Sequence, residues 1–489
     1  MNGFWLSDGV QGKRHMDGEN MMVSARDVAC DVASGGGSGS GRWSRRAMMA
    51  AGVTLGSSPL AMLAGCAGSG GGGAGPDAVA KLSQPVTLRY LVPAGTKAEQ
   101  DITVYKQYQA ENPKITVAVE QIPSTINQTD RMFALAAGND LPDVLALSDA
   151  RVKPYALQGV AADLDKLAAK DKASQDLLKD VYPNMLGLGR FKSKPGLYML
   201  PWALDVLVTY YNKTMFRQAG VDLPKPNWTI DDFITTAKRL TKDTGDESKR
   251  QFGVTVGWTA WSEYVPWMLG YGGDMLTPDG KKSGLDMPGT IEGIDAMASL
   301  VTKHNVAAPI GYDFGGDGFN LGRVGMRFSI RNAVVAIRNA VKDNFEWDVE
   351  LRPAFPKKRV VGMGTQGVTV STQTKQPDVA WHAAKYTITP AGQKIYASQY
   401  ASVPVLQSLR NDPVWRNLPA PPANVDAFIK AADFGTLPPD FPETCGTVYI
   451  GDLNVLMTQT INDIVNGKVA AGTALRDAAA KVNACMARA

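Results

Sequence analysis

Histidine and cysteine are scarce in this chain of 489 residues, which holds three of the first and four of the second. Only His304 and His382 lie outside the N-terminal region, so a histidine-rich metal centre is not expected. Cys30 and Cys66 fall near the N-terminus, which leaves Cys445 and Cys485 for the folded part. Their separation neither supports nor forbids a disulfide, and pairing is open to them in an oxidising compartment. No charge of one sign dominates: 51 Lys and Arg face 47 Asp and Glu, for a net charge of +4. That balance argues against a nucleic-acid surface, which concentrates basic charge. The chain also lacks a GxSxG elbow with a partner histidine, an HExxH pair and a GxxxxGK[ST] phosphate loop. The carboxylates Asp149, Asp205, Glu263 and Asp274 stand in no recognisable acid–base setting of the glycosidase kind. The expectation is a protein that does no chemistry and needs no cofactor or metal.

What is present begins near the N-terminus. Arg45-Arg46 precede an uncharged run, Ala47–Gly65, which ends in Leu63-Ala64-Gly65-Cys66. Gly52, Gly56, Ser57, Ser58 and Pro59 dilute that run, and a membrane-spanning helix needs about 20 strongly apolar residues. The order (paired arginines, weakly apolar run, small residues, one cysteine) reads as a twin-arginine export signal ending in a lipid-attachment site at Cys66. The competing reading is a Gly/Ser/Ala-rich leader with a chance cysteine. Residues 1–65 are therefore assigned as leader, and 66–84 as a lipid-anchored tether, because GSGGGGAG offers too little apolar surface to pack. The 424 residues from Cys66 onward carry 45 basic and 42 acidic side chains and are long for one core, so two lobes are expected.

Order begins at Val86–Val92, an alternating β-rich run, followed by a helix over about Lys97–Glu111 that Asn112-Pro113 stops. A strand at Ile115–Val119, a helix at Thr129–Ala137 and a strand at Asp143–Leu147 continue the alternation, which predicts a mostly parallel α/β sheet. Such sheets bind ligands beyond the carboxyl ends of their strands, here at Pro93, Ala94, Ser148 and Asp149. A second α/β unit starts near Asp205, with strands at Val206–Tyr211 and Phe252–Val256 and a helix signalled by Thr229-Ile-Asp-Asp232. Helices are predicted at Ser262–Leu269, Ile291–His304, Val379–Thr387, Val448–Val465 and Ala471–Ala484.

Several short pieces occur in a familiar order: Tyr108-Gln-Ala-Glu-Asn-Pro113, Leu141-Pro-Asp-Val144, Gly159-Val-Ala-Ala-Asp-Leu164, Tyr198-Met-Leu-Pro201, and Tyr210-Tyr-Asn-Lys213. Asn227-Trp-Thr-Ile-Asp-Asp-Phe233, Gly272-Gly-Asp274, Leu321-Gly-Arg-Val-Gly-Met326 and Ala380-Trp-His-Ala-Ala-Lys-Tyr386 follow. Over about 85–485 the chain resembles bacterial extracellular solute-binding proteins of the sugar-binding type, the capture components of ABC importers that include the maltose-binding proteins. The resemblance implies two α/β lobes joined by crossing strands, with ligand held between them and closure by a hinge. It divides the chain into 85–200 and 319–365 for lobe one, and 201–318 and 366–489 for lobe two. Crossings are implied near Pro201–Asp205, Phe319–Leu321 and Gln366–Gly367. It further implies a monomer outside the cytoplasm that hands a carbohydrate or sugar-like solute to permease subunits, with no nucleic-acid partner.

A sugar presents hydroxyls at its edge and C–H groups on its face, so aromatic rings and planar polar side chains complement it. Trp258, Trp261, Tyr264 and Trp267 crowd one short window after a predicted strand. Trp258 and Trp261 are read as cleft residues and Trp267 as core. Trp202 and Asp205 follow the first implied crossing, and Asp149 is either a hydroxyl acceptor or a helix N-cap. Where the family shows a tryptophan after Gly322…Met326, this chain has Arg331-Asn332, which hints at a more polar or anionic sugar. Gln366, at the last crossing, completes the candidate set.

Overall fold

Alternating β-branched and aromatic residues make β1 (Val86–Pro93), β2 (Ile115–Ile122) and β3 (Val144–Ser148) parallel neighbours, as the alternation of elements predicted. The computed structural model describes residues 79–399 and 402–488. Helix Thr96–Glu111 crosses from β1 to β2 and buries Val104, Tyr105 and Tyr108. Helix Gln128–Ala137 starts at Asn127, whose side chain accepts from the Thr129 and Asp130 amides and so satisfies two orphan donors of the first turn.

The chain then forms β4 (Leu200–Pro201), β5 (Asp205–Val206), β6 (Val208–Asn212), β7 (Phe252–Thr255), β8 (Val324–Ser329), β9 (Trp347–Glu350), β10 (Val361–Gly364), β11 (Gln366–Val370) and β12 (Gly435–Thr436). Lobe one holds a five-stranded sheet in the order β2-β1-β3-β11-β4, and lobe two a four-stranded sheet in the order β7-β8-β6-β9. A small sheet, β12-β10-β5, lies at the crossing. The sheets are mixed rather than mostly parallel: β11 runs antiparallel to β3 and β4, and β6 antiparallel to β8 and β9.

Strand pairing corrects the division expected from sequence. Segment 319–365 was assigned to lobe one, yet β8 and β9 flank β6 in the sheet of lobe two. Gly325 fits β8 between its neighbours, since a Cβ there would lie 2.8 Å from the Leu240 side chain and 3.1 Å from the Gly253 carbonyl. The start of segment 366–489 was assigned to lobe two, yet β11 sits beside β3, and helices Pro377–Tyr386 and Pro390–Ser398 pack on Thr96–Glu111 in lobe one. Phe319–Leu321 is a turn leading into β8, with the Gly322 amide bonded to the Phe319 carbonyl, and not a crossing. At the other two positions β4 leads to β5 through Trp202-Ala203-Leu204, and β10 leads to β11 through Thr365. The chain returns to lobe two past helix Asp426–Ala432 and β12, and ends in helices Asp452–Val465 and Ala471–Met486, which pack on Pro288–Thr302.

Two apolar cores result. One gathers the sheet of lobe one and reaches through the crossing to Tyr210, Trp347 and Phe428; the other gathers Phe233, Trp267, Met297, Met326 and Ile461. No helix among the described residues is long and apolar enough to cross a membrane. Arg45, Arg46 and Cys66 lie outside the described residues.

Candidate functional site between the sheets

The polar groups nearest the crossing come from four separate stretches of chain. Lys97, in the first turn of helix Thr96–Glu111, donates to Gln366 Oε1 at 3.1 Å and to the Leu147 carbonyl at 3.5 Å. Its Nζ also lies 5.6 Å from the Trp202 ring centroid. The Trp202 ring stacks on Tyr396 at 4.0 Å and 5°. Tyr396 in turn donates to Asp101, which accepts from Tyr90 as well, so the floor rests on a hydrogen-bonded network inside lobe one. Burial lowers Lys97 to about 8, against the attraction of Asp101 and Asp205.

Asp205 opens β5, opposite Gly364 of β10. It is 3% exposed, and its Oδ1 has no hydrogen-bond partner among the described residues; neither has Trp202 Nε1. Burial, then the nearby Asp149, pushes Asp205 up to about 8, with Lys97 opposing. Asp149 begins helix Asp149–Leu157 at the end of β3 and accepts a hydrogen bond from the Tyr449 hydroxyl. Burial raises Asp149 to about 6 against that bond. Gly364 leaves the room this carboxylate needs, because a Cβ there would stand 3.1 Å from its Oδ2. A buried polar group without a partner is costly, which makes Asp205 and Trp202 candidate site groups.

Asp149 and Tyr449 also line a cavity of about 530 Å³, whose lining does not include Lys97, Trp202, Asp205 or Gln366. Asp149, Lys153, Phe191 and Pro195 line it from lobe one, and Leu437, Pro438, Asp440 and Tyr449 from lobe two. Apolar stretches of its wall are interrupted by the charged Asp149, Lys153, Arg190, Lys192 and Asp440 and by the Thr447 and Tyr449 hydroxyls. A concave apolar cavity with a few convergent polar groups is the usual form of a small-molecule site.

The structure brings Asp149, Trp202, Asp205 and Gln366 together. Trp261 is the first residue of helix Trp261–Gly270, not a loop residue, and its ring meets Tyr449 edge-on at 5.9 Å. Trp258 lies in the core of lobe two, where its indole N–H donates to the Ala308 carbonyl at 3.2 Å, rather than facing the cavity. Trp267 is fully buried against Phe355, as expected of a core residue. Arg331 and Asn332 do not line the cavity. Arg331 is buried against the rings of Trp415 and Phe428 and donates to the Trp415 carbonyl, while Asn332 is exposed at the start of helix Ala333–Val341. Cys445 and Cys485 form a disulfide, with Cα atoms 5.3 Å apart. Among the described residues no group of three or more His, Cys, Asp or Glu is placed to hold a metal ion.

Sequence reasoning missed Lys97, Lys153, Asp440 and Tyr449. The strand-end rule pointed to the loop after β1, three residues short of Lys97. Tyr449 was hidden because the last helices were read from Val448, whereas the first of them starts at Asp452 and leaves Tyr449 in the preceding loop.

Comparison with known proteins agrees with the two-lobed fold. A binding protein of Brucella abortus (strain 2308) is 26% identical over 403 residues, which covers 78% of this chain and 89% of the relative. The multiple sugar-binding protein of Streptococcus mutans is 24% identical over 372 residues, 70% of this chain and 80% of that one. An ABC substrate-binding protein of Listeria monocytogenes, solved in complex with cycloalternan, superposes with a TM-score of 0.69 at 22% identity, covering 83% of this chain and all of that one. Residues 86–394 match the sequence profile of the family described as bacterial extracellular solute-binding protein. With β1 through helix Pro377–Tyr386 inside that match, the chain belongs to the bacterial extracellular solute-binding proteins, a family of two-lobed binding proteins that act outside the cytoplasm.

Proposed function

We propose that this protein captures a carbohydrate between its lobes and delivers it to the membrane subunits of an ABC importer, as a monomer tethered through Cys66. The observation that carries the reading is Asp205 at the crossing of the strands: a buried carboxylate whose Oδ1 lacks a partner, beside Asp149, Lys97, Gln366 and the cavity. Carboxyl, amide and ammonium groups gathered at one crossing are the complement of sugar hydroxyls, which both donate and accept. The named ligands of the Streptococcus and Listeria proteins support a carbohydrate. Ligand contacts to both lobes supply the energy of hinge closure. Screening the purified protein against a carbohydrate panel by thermal shift tests the proposal. Ligand at 100 times Kd adds about 2.7 kcal/mol of stability. A shift with amino acids or metal ions and none with sugars contradicts it. Replacing Cys66 by Ala should move the protein from the membrane fraction to the soluble one.

A further inference from the structure

We infer that the Cys445–Cys485 disulfide is a positioning element for the cleft: it holds segment 437–449 of lobe two where Asp440 and Tyr449 grip lobe one. This segment forms most of one cavity wall, yet its regular structure is a three-residue turn, Glu443–Cys445. Short loops of this kind keep a fixed place only when tied at several points.

The ties toward lobe one are polar and converge on two patches. Lys153, with its side chain 7% exposed, donates from Nζ to Asp440 Oδ1 and to the Phe441 carbonyl. The other Asp440 oxygen accepts from the Lys192 amide at 3.1 Å. Gln158 Nε2 donates to Glu443 Oε1 at 3.3 Å, and the Tyr449 hydroxyl donates to Asp149. Each of these bonds crosses from lobe two to lobe one, so their geometry depends on where lobe two presents the segment.

The ties toward lobe two are mostly apolar. Phe441, Cys445 and Val448 enter its core, Trp261 meets the Tyr449 ring edge-on, and Thr444 Oγ1 donates to the Cys485 carbonyl at 3.2 Å. The covalent tie is Cys445 to Cys485, in the last turn of helix Ala471–Met486, whose Leu475, Ala478, Ala479 and Val482 are buried. Cys445 stands midway between Asp440 and Tyr449 in sequence, so the bond fixes the centre of the segment to a packed helix while both ends reach across the cleft. The inference concerns the segment and not the ligand, and it stands whether or not the occupant is a sugar.

The Lys192 amide is the reporter, since it donates directly to Asp440. Hydrogen exchange is to be followed in the full chain carrying Cys445→Ser with Cys485→Ser. The expected result is exchange at Lys192 faster by about tenfold, with strands β1 and β6 unchanged. Dithiothreitol on the folded wild-type protein gives a second measurement that needs no variant to fold: it passes two electrons and two protons to the Sγ pair, leaves two thiols and closes to a cyclic disulfide. Asp440→Ala, with the disulfide intact, should speed Lys192 to a similar degree and leave helix Ala471–Met486 protected. Faster exchange confined to residues near 445 and 485, with Lys192 unchanged, overturns the inference, as does loss of protection throughout the lobe-two core on reduction.

Discussion

Two regions of the molecule concentrate the residues that stand out in its sequence, and they have opposite characters. In the window Trp258–Trp267 of lobe two, Trp258 spends its indole N–H on the Ala308 carbonyl and the rings pack among apolar neighbours. At the crossing, Asp205, Asp149, Lys97 and Gln366 hold fewer and more costly groups, with Asp205 Oδ1 lacking a partner. Trp267 shows that an unpartnered atom is not enough, for its N–H is also unsatisfied but lies inside the core against Phe355. Several unsatisfied or shifted polar groups gathered at one place mark a candidate site better than aromatic residues alone.

The largest effect should separate the two regions through stability. Trp267→Ala should cost about 3–5 kcal/mol in urea unfolding, while the folded fraction keeps its affinity for any sugar that shifts the wild-type melt. Folded protein that had lost affinity would show that the window belongs to the site. Next in size, Lys97→Met should weaken sugar binding by about 1.5–3 kcal/mol, the worth of a hydrogen bond to a charged group, with the melting temperature held or raised because a buried charge is removed. Isothermal titration with the same sugar reads this directly.

The pH dependence distinguishes the regions further. Both carboxylates are raised above their unfolded values, so the stability they contribute is complete below about pH 4. It is lost as pH rises, through about 6 for Asp149 and about 8 for Asp205. Above pH 8 the sign reverses, because Lys97, lowered to about 8, is then deprotonated in the folded state and still charged in the unfolded one. Melting temperatures at pH 5, 6, 7 and 8 should therefore fall along the series, and Asp205→Asn should flatten the fall between 6 and 8. A slope unchanged in that variant would mean that Asp205 titrates normally. The smallest effect belongs to Trp258→Phe, which removes one hydrogen bond and should cost about 1 kcal/mol of stability with no change in affinity.

Much of the element order was legible, because local periodicity and stop signals determine it: β1, the helix ending before Asn112-Pro113, and the Thr229/Asp232 capping box all formed as read. The lobe assignment of 319–365 was not, because alternation in β8 fits either sheet and its partner β6 lies more than a hundred residues earlier in sequence. At the candidate site, strand ends and crossings pointed to Asp149, Asp205 and Gln366, which the fold brings close together. Lys97 was not, since one lysine in the first turn of a helix reads like a solvated one until Gln366 arrives from a distant strand. Trp258 was read toward the cleft because a core and a stacking platform draw on the same residue type.

Isothermal titration of the sugar that gives the largest thermal shift, into the wild-type protein, Asp205→Asn and Trp258→Phe side by side, tests the central claim most directly. Asp205→Asn should raise the Kd about tenfold or more with its fold intact, and Trp258→Phe should keep the wild-type Kd. Wild-type affinity in Asp205→Asn, or a loss confined to Trp258→Phe, would contradict that claim.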